Sequence, residues 1–185
     1  VECVVYEKEV RIRSMKLIQA TETHASLAGE IHSLAWQQAY EGLFPAEYID
    51  TENSEKRKQE FKDALQDERY QYFLVYDEDI CVGIVKIFME NEDCEIASIY
   101  FLKKYCGRGL GRKVIALLVE KYKDYCIFLW TLEENHMARK FYEKNGFEEK
   151  GDVRTIFRGR DFLQVKYEYV GKKQNAGENY GNIQY

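Results

Sequence analysis

The sequence predicts a mixed α/β fold of the α+β type, in which a mostly antiparallel sheet of six to seven strands is flanked by helices. One observation is the order of strand-like and helix-like segments, which reads β-α-α-β-β-β-α-β-α-β-β. A second is the short polar turn at residues 77–79, which joins two apolar segments and is typical of an antiparallel hairpin. A third is the glycine-rich turn at residues 106–112, which separates a strand-like segment from a helix-like one.

The first half of the chain is predicted to supply a strand, two helices and a hairpin. Leu27, Ile31 and Leu34 stand at helical spacing and indicate the first helix. The second helix is highly charged, with Phe61 and Leu65 as its buried side. The predicted ranges are 15–20 (strand), 21–40 and 54–65 (helices), and 71–76 and 80–89 (strands).

The second half is predicted to alternate strands and helices before it ends in a strand of alternating bulky residues. The order of segments requires one further strand between the last helix and the last strand. The predicted ranges are 93–102 (strand), 110–123 (helix), 126–131 (strand), a helix that follows Asn135, and 161–170 (last strand).

The chain of 185 residues is expected to form one domain, at residues 15–170. Residues 1–14 precede the first methionine, Met15, and are expected to be an N-terminal extension, although their β character leaves an additional strand as an alternative. Residues 171–185 are rich in Gly, Asn, Gln and Lys, which predicts a flexible C-terminal tail.

Composition and charge exclude several classes of function. A net charge of −5 disfavours binding to nucleic acid or to an anionic membrane. No apolar run approaches the roughly 20 residues of a membrane span, and no signal-peptide pattern opens the chain. Five cysteines without a C-x-x-C spacing indicate reduced thiols and a cytoplasmic protein, and three dispersed histidines argue against a metal site.

The glycine-rich turn is suited to binding phosphate. Three glycines at alternate positions leave backbone amides unshielded, and the helix behind them adds free N–H groups and the positive end of its dipole. Two arginines add fixed positive charge. A dinucleotide-binding turn does not fit, because Arg112 stands where G-x-G-x-x-G requires its third glycine, and no P-loop sequence is present. The residues expected to hold the phosphate are Gly107, Arg108, Gly109, Leu110, Gly111 and Arg112.

Two motifs together resemble those of the GNAT superfamily of N-acetyltransferases. The turn is similar to the pyrophosphate loop Q/R-x-x-G-x-G/A, with Cys106 at the position of Gln or Arg, which removes one polar contact to the cofactor. Residues 135–147 match the pattern N-x-x-A-x-x-F-Y-x-x-x-G-F at every specified position. The elements between the motifs also occur in the family order, and the resemblance covers about residues 15–169.

The resemblance implies the GNAT fold, with the fourth and fifth strands splayed apart and the pantetheine arm of acetyl-CoA in the wedge between them. It implies acetyl-CoA as co-substrate, no metal, and direct acetyl transfer to a primary amine of a small molecule or peptide. Phe101 and Leu102 would lie beside the cofactor, with a backbone N–H near Phe101 polarising the thioester carbonyl. Asn135 would hydrogen-bond the pantetheine arm, or cap a helix, or do both.

Two side chains are candidates for proton transfer. Glu95, on the fourth strand, is the candidate general base, with Asp93 and Glu92 as alternatives and an exposed structural position as the competing interpretation. Tyr142 matches the family tyrosine that gives a proton to the departing thiolate. Its competing interpretation is packing beside Phe141.

The acceptor is less well defined by the sequence. Aromatic and acidic residues of the first helix and the loop behind it could wall an acceptor site for a cationic amine, although Trp36 and Tyr40 could equally be core residues. These residues are Trp36, Tyr40, Glu41, Phe44 and Tyr48. A non-catalytic acyl-CoA-binding sensor of the same fold and a nucleotide-binding protein of another fold are the alternative functions, and a homodimer is a possible assembly.

Overall fold

Seven strands form one sheet with helices on both faces. The computed structural model describes residues 15–171. The strands are β1 (Met15–Gln19), β2 (Tyr70–Asp77), β3 (Ile80–Glu90), β4 (Asp93–Phe101), β5 (Cys126–Leu132), β6 (Phe147–Phe157) and β7 (Asp161–Tyr169). The helices are α1 (Ala25–Tyr40), α2 (Ala46–Ile49), α3 (Ser54–Ala64), α4 (Leu110–Lys121) and α5 (His136–Lys144). The predicted extension at 1–14 and all but the first residue of the predicted tail lie outside the described residues.

The predicted fold class is confirmed. The strand order is β1-β2-β3-β4-β5-β7-β6, and every neighbouring pair is antiparallel except β4 and β5. The first helix starts later than predicted, at Ala25, because a short 3-10 turn at Glu22–His24 precedes it. The short helix α2 lies in a segment for which the sequence analysis gave no element.

The sheet opens between its fourth and fifth strands. β4 and β5 pair only at Asp93–Cys126, Cys94–Ile127 and Glu95–Phe128, although both strands continue well beyond these positions. In the pairing with β3, Ser98 lies opposite Lys86 and Ile96 opposite Ile87, so that Ala97 is an additional residue in β4. Such a bulge bends its strand and increases the local twist. The predicted splay is therefore present, and it begins next to the bulge.

Each face of the sheet has its own apolar core. The front face, which we define by α1 and α3, buries Ala28, Phe61, Tyr72, Leu74 and Ile84. The rear face, defined by α4 and α5, buries Val85, Ile87, Leu110, Val114 and Leu118. A third cluster on the front face joins α1 to β5 and β7 through Trp36, Phe44, Leu132 and Phe162.

The two front helices cross at a glycine. A Cβ atom placed on Gly29 would lie 2.6 Å from the carbonyl oxygen of Ser54 and 2.8 Å from Cβ of Lys58. The absence of a side chain at Gly29 therefore sets how closely α1 and α3 approach.

Replacing Gly29 by alanine is expected to destabilise the protein. Forcing the helices apart costs about 1–3 kcal/mol, which outweighs the roughly 1 kcal/mol that alanine gains over glycine in a helix interior. Urea unfolding at 25 °C measures the change, with the exposed neighbour Glu30→Ala as control. Unchanged or increased stability of Gly29→Ala would show that the crossing is not tight.

Candidate functional site

Backbone conformation explains two glycines of the glycine-rich turn. Gly107 and Gly109 have φ values of 75° and 80°, a region that side-chain-bearing residues rarely adopt. A Cβ at either position would meet no atom within 4 Å, so the surrounding space is open. These two glycines therefore shape the turn and leave its backbone accessible to a ligand.

The turn runs directly into a helix N-terminus. Gly109 is the N-cap of α4, and the N–H of Lys113 donates to its carbonyl oxygen at 3.2 Å. The N–H groups of Leu110, Gly111 and Arg112 precede that first intrahelical bond and have no acceptor within the helix. Together with the positive end of the helix dipole, they form a site suited to an anion.

The third glycine has an additional role in packing. A Cβ on Gly111 would lie 3.0 Å from Cζ and 3.3 Å from Cε2 of Phe141. The absent side chain therefore lets α5 pack closely against the first turn of α4. The sequence analysis placed Gly111 in the phosphate site without detecting this contact.

The turn carries exposed positive charge. Arg108 and Arg112 are exposed, and the Arg108 guanidinium lies 4.9 Å from the centre of the Tyr105 ring. Cys106 is exposed, with Sγ 3.8 Å from the carbonyl oxygen of Leu102. Partial burial of the thiol raises the pKa of Cys106, so it remains a protonated thiol at neutral pH. This argues against Cys106 as a nucleophile.

Backbone groups of β4 point into the gap between β4 and β5. The N–H of Leu102 donates to the carbonyl oxygen of Val82 at 2.9 Å, on the β3 side. Because successive amides of a strand point to opposite sides, the N–H of Phe101 points away from β3 and into the gap. The expected donor, the N–H of Phe101, is thus directed into the gap. A contact between Leu102 and a cofactor would have to use a group other than its N–H, which already donates to Val82.

Asn135 caps α5. Its side-chain oxygen accepts a hydrogen bond from the N–H of Ala138 at 3.1 Å. The capping alternative is therefore present in the structure. The carbonyl oxygen of Asn135 has a second lone pair and its amide nitrogen is a donor, so the cap leaves both groups able to contact a cofactor.

Tyr142 belongs to a group of tyrosines at the gap. Its half-buried ring packs against Phe141 and Phe147, with ring centres 5.3 and 5.8 Å away. The hydroxyls of Tyr40 and Tyr100 lie 3.3 Å apart. Burial raises the pKa of Tyr142, and Tyr40 raises it further, so the phenol is protonated at neutral pH and able to donate. Tyr100 was not identified from the sequence.

Glu95 lies where the paired part of β4 and β5 ends. Its side chain is 19% exposed, and Oε1 is 3.9 Å from Nη2 of Arg154. Burial raises the pKa of Glu95, while Arg154, Lys86 and Lys166 act in the opposite direction. A raised pKa makes a carboxylate a stronger base. The two alternatives, Asp93 and Glu92, are exposed.

The residues expected to wall an acceptor site are mostly packed together. Trp36 and Phe44 are 4% and 6% exposed, and the Trp36 ring is covered by the Arg57 guanidinium at 5.2 Å. Glu41 is exposed and pairs with Lys103 at 3.2 Å. These residues form an aromatic cluster beside the gap and leave little free ring surface for a cationic ligand.

Residues 15–171 contain neither a metal-binding cluster nor a membrane-spanning helix. Within them, no group of three or more His, Cys, Asp or Glu side chains is placed to hold a metal ion. Within the same range, no helix is long and apolar enough to cross a bilayer.

Comparison with known sequences identifies relatives. The model of the acetyltransferase (GNAT) family matches residues 28–147. The uncharacterized protein YyaT of Bacillus subtilis (strain 168) is 31% identical over 86 residues, which are 46% of this chain. The match spans 57% of the length of YyaT.

Several solved structures share the fold. PaiA N-acetyltransferase from Thermoplasma acidophilum, in complex with coenzyme A, has a TM-score of 0.64 and 19% identity over 84% of this chain and 99% of its own. Ribosomal-protein-S18-alanine N-acetyltransferase from Escherichia coli has a TM-score of 0.65 and 16% identity, with coverages of 90% and 100%. A chimera of the spermidine N-acetyltransferase SpeG from Vibrio cholerae and hSSAT has a TM-score of 0.67 and 21% identity, with coverages of 84% and 94%.

Replacing Gly109 by alanine is expected to destabilise the protein by about 1–2 kcal/mol, because a Cβ disfavours the left-handed conformation. Asparagine tolerates this conformation better, so Gly109→Asn is expected to lose less. Thermal unfolding of both variants measures the effect. A loss for Gly109→Asn equal to or larger than that for Gly109→Ala would contradict backbone conformation as the origin of the effect.

Glu95→Gln is expected to stabilise the protein at neutral pH. Burial raises the folded-state pKa of Glu95, so folding disfavours the ionised form, and the stability of the parent falls as pH rises through that pKa. The neutral amide avoids this loss. The stability advantage of Glu95→Gln should therefore be present at pH 7 and disappear below the unfolded pKa of about 4.3.

Thermal unfolding from pH 4 to pH 8 tests this expectation for Glu95→Gln. The matched control is Glu120→Gln, at an exposed side chain on α4. A pH-independent difference between Glu95→Gln and the parent would contradict the raised pKa.

Proposed function

The chain belongs to the acetyltransferase (GNAT) family, and we propose that it is an acetyl-CoA-dependent N-acetyltransferase that acts on a primary amine of a small molecule or peptide by direct transfer. The observation that carries the proposal is the convergence of three features on one gap. The anion-binding turn lies at the open end of the β4–β5 gap, Glu95 lies at its closed end, and Tyr142 packs beside it.

The gap suits a molecule that has a pyrophosphate at one end and amides along its length. The free N–H groups at the start of α4 would bind the pyrophosphate of acetyl-CoA. The unpaired backbone groups of β4 and β5 would hydrogen-bond the pantetheine arm as a neighbouring strand does. PaiA N-acetyltransferase from Thermoplasma acidophilum, a protein of this fold, forms a complex with coenzyme A, which supports the choice of cofactor.

The acceptor amine needs to lose a proton before it can attack. An amine with a pKa near 10.4 is neutral in roughly one molecule in a few thousand at pH 7. Glu95 takes the proton, and the nitrogen lone pair then forms a bond to the thioester carbon. The N–H of Phe101, which points into the gap, would donate to the oxygen as it gains negative charge.

Collapse of the tetrahedral intermediate breaks the carbon–sulfur bond. The electron pair leaves with sulfur, and Tyr142 donates its phenolic proton to the thiolate. The products are the N-acetyl amine and CoA with a free thiol. The Tyr142 hydroxyl is protonated at neutral pH and can therefore donate, and its assignment to this step rests on its place in the family motif, because burial, which raises its pKa, makes it a weaker acid.

A cytoplasmic location fits the chemistry of the cysteines. The four cysteines within residues 15–171 are free thiols, two of them buried and two exposed. Free thiols persist in a reducing compartment. We therefore place the proposed reaction in the cytoplasm.

The first test is thermal unfolding with acetyl-CoA, CoA, ATP and NAD, each at saturating concentration. A ligand present at 100 times its dissociation constant stabilises the folded state by roughly 2.7 kcal/mol. Protection by acetyl-CoA and CoA, and not by ATP or NAD, is expected. Protection by ATP or NAD alone would favour another nucleotide-binding function, and no protection by either CoA form would overturn the proposal.

Replacing Tyr142 by phenylalanine is expected to lower kcat by roughly 10²–10⁴-fold, because the variant keeps the ring and loses the proton donor. Release of free thiol from acetyl-CoA with a panel of amines measures the rate. The control is Tyr125→Phe, at an exposed tyrosine. Unchanged turnover would remove Tyr142 from the proposed step, and CoA binding without any thiol release would favour the non-catalytic sensor.

A further inference from the structure

Cations from three different strands influence Glu95 on the front face. Nη2 of Arg154, on β6, lies 3.9 Å from Oε1 of Glu95. Lys86 of β3 and Lys166 of β7 both lower the pKa of the Glu95 carboxyl. The charged groups that change the pKa of Glu95 are all positive. Each lowers that pKa, whereas burial raises it. The candidate base is thus the negative centre of a positive surface.

Aromatic rings hold these cations in place. The Arg154 guanidinium is 4.4 Å from the centre of one ring, and the ammonium groups of Lys166 and Lys86 are 4.6 and 4.5 Å from two others. The rings belong to Trp130, Phe128 and Tyr70. Cation–π contacts position a charge without neutralising it. They also occupy ring faces that a cationic ligand would otherwise use.

Carboxylates neutralise this surface only in part. Glu168 lies 2.9 Å from Lys166 and 3.8 Å from Lys150, so its charge is shared between two lysines. Glu60, which also acts on Lys86, pairs with Arg57 at 2.7 Å. Of the three cations, Lys166 has a carboxylate at 2.9 Å and Arg154 has Glu95 at 3.9 Å, whereas Lys86 has no carboxylate within 4.0 Å among residues 15–171.

The guanidinium of Arg154 retains hydrogen-bonding capacity. Its Nε donates to Gln164 at 2.7 Å, and among the described residues the one carboxylate within 4.0 Å is Glu95, beyond hydrogen-bond distance. Partial burial lowers the pKa of Arg154, and repulsion from Arg158 lowers it further. A partly desolvated guanidinium with free Nη groups is well suited to a carboxylate or phosphate, which it can bind through two hydrogen bonds.

We propose that the acceptor is a small primary amine that also carries a carboxylate or phosphate group, and that Arg154, assisted by Lys86 and Lys166, binds this anionic group. The inference rests on the proposed acetyl transfer and specifies its substrate class. With the amine at Glu95, an anionic group a few bonds away reaches Arg154. A polyamine would instead bring further positive charge to a surface that already carries three cations.

Matched acceptor pairs test the inference through thiol release from acetyl-CoA. The phosphate pair is 3-aminopropyl phosphate and 3-aminopropanol, the carboxylate pair is β-alanine and β-alaninamide, and spermidine is the polycationic comparison. We expect kcat/KM to be at least about tenfold higher for the anionic member of one or both pairs. The two pairs distinguish phosphate from carboxylate as the preferred group.

Arg154→Gln tests the residue itself. The variant loses a charge-assisted contact to the anionic group. We therefore expect the ratio of kcat/KM for the anionic member to kcat/KM for the neutral member to fall by roughly 10–100-fold. Most of this change should be a higher KM for the anionic member. The ratio separates this effect from any change in Glu95. Loss of Arg154 would raise the pKa of Glu95, and such a change affects both members of a pair alike. The control is Lys16→Gln, at an exposed residue of β1, which should leave the ratio unchanged.

The outcomes separate the two proposals. Turnover of neutral amines or spermidine equal to or faster than that of the anionic amines would overturn the anionic acceptor and leave acetyl transfer intact. A ratio that Arg154→Gln does not change would overturn the role of Arg154. No thiol release with any acceptor, together with no protection by CoA, would overturn acetyl transfer and the acceptor inference with it.

Discussion

The departure of β4 from β5 beyond Glu95 and Phe128 is the constraint on which the rest of the site depends. If β4 and β5 paired along their whole length, their N–H and C=O groups would be hydrogen-bonded to each other, and no extended molecule could enter between them. The bulge at Ala97 bends β4 where the pairing stops, so the opening is part of the strand geometry. The N–H of Phe101 faces this gap because successive amides of β4 point to opposite sides of the strand.

The two cores keep the gap open from opposite sides. On the rear face, α4 and α5 bury apolar side chains against β3 and β5, and this layer carries the anion-binding turn and Tyr142. On the front face, α1 packs over β3 and β4, while the aromatic cluster around Trp36 links α1 to β5 and β7. The anion-binding turn and the aromatic cluster around Trp36 are therefore supported by different parts of the apolar core.

Local sequence patterns were sufficient to predict most of the helices and strands, although not α2, and to propose residues for binding a cofactor. Glycines with positive φ, a helix start and an N-cap asparagine are properties of a few adjacent residues, and the structure places all of them as a short stretch of sequence predicts. The splay followed from the family resemblance, because nothing within β4 alone specifies where its pairing with β5 ends.

The acceptor side could not be predicted in this way. Lys86, Arg154 and Lys166 come from three strands that are far apart in sequence, and they meet only through the register of β3, β4, β7 and β6. The ring of Trp130 beneath Arg154 depends on the same register. Glu95 was found as a single acidic residue on a strand, but its cationic surroundings are a property of the assembled sheet.

The contact between Gly111 and Phe141 has a consequence for how sequences of this kind diverge. The two residues belong to different motifs, yet the ring of one fills the space that a side chain of the other would need. A larger residue at 111 would require the ring at 141 to shift or to be replaced by a smaller side chain, so substitutions at the two positions are expected to be coupled. The two motifs that identify the family are thus linked by sterics as well as by their separate chemistry.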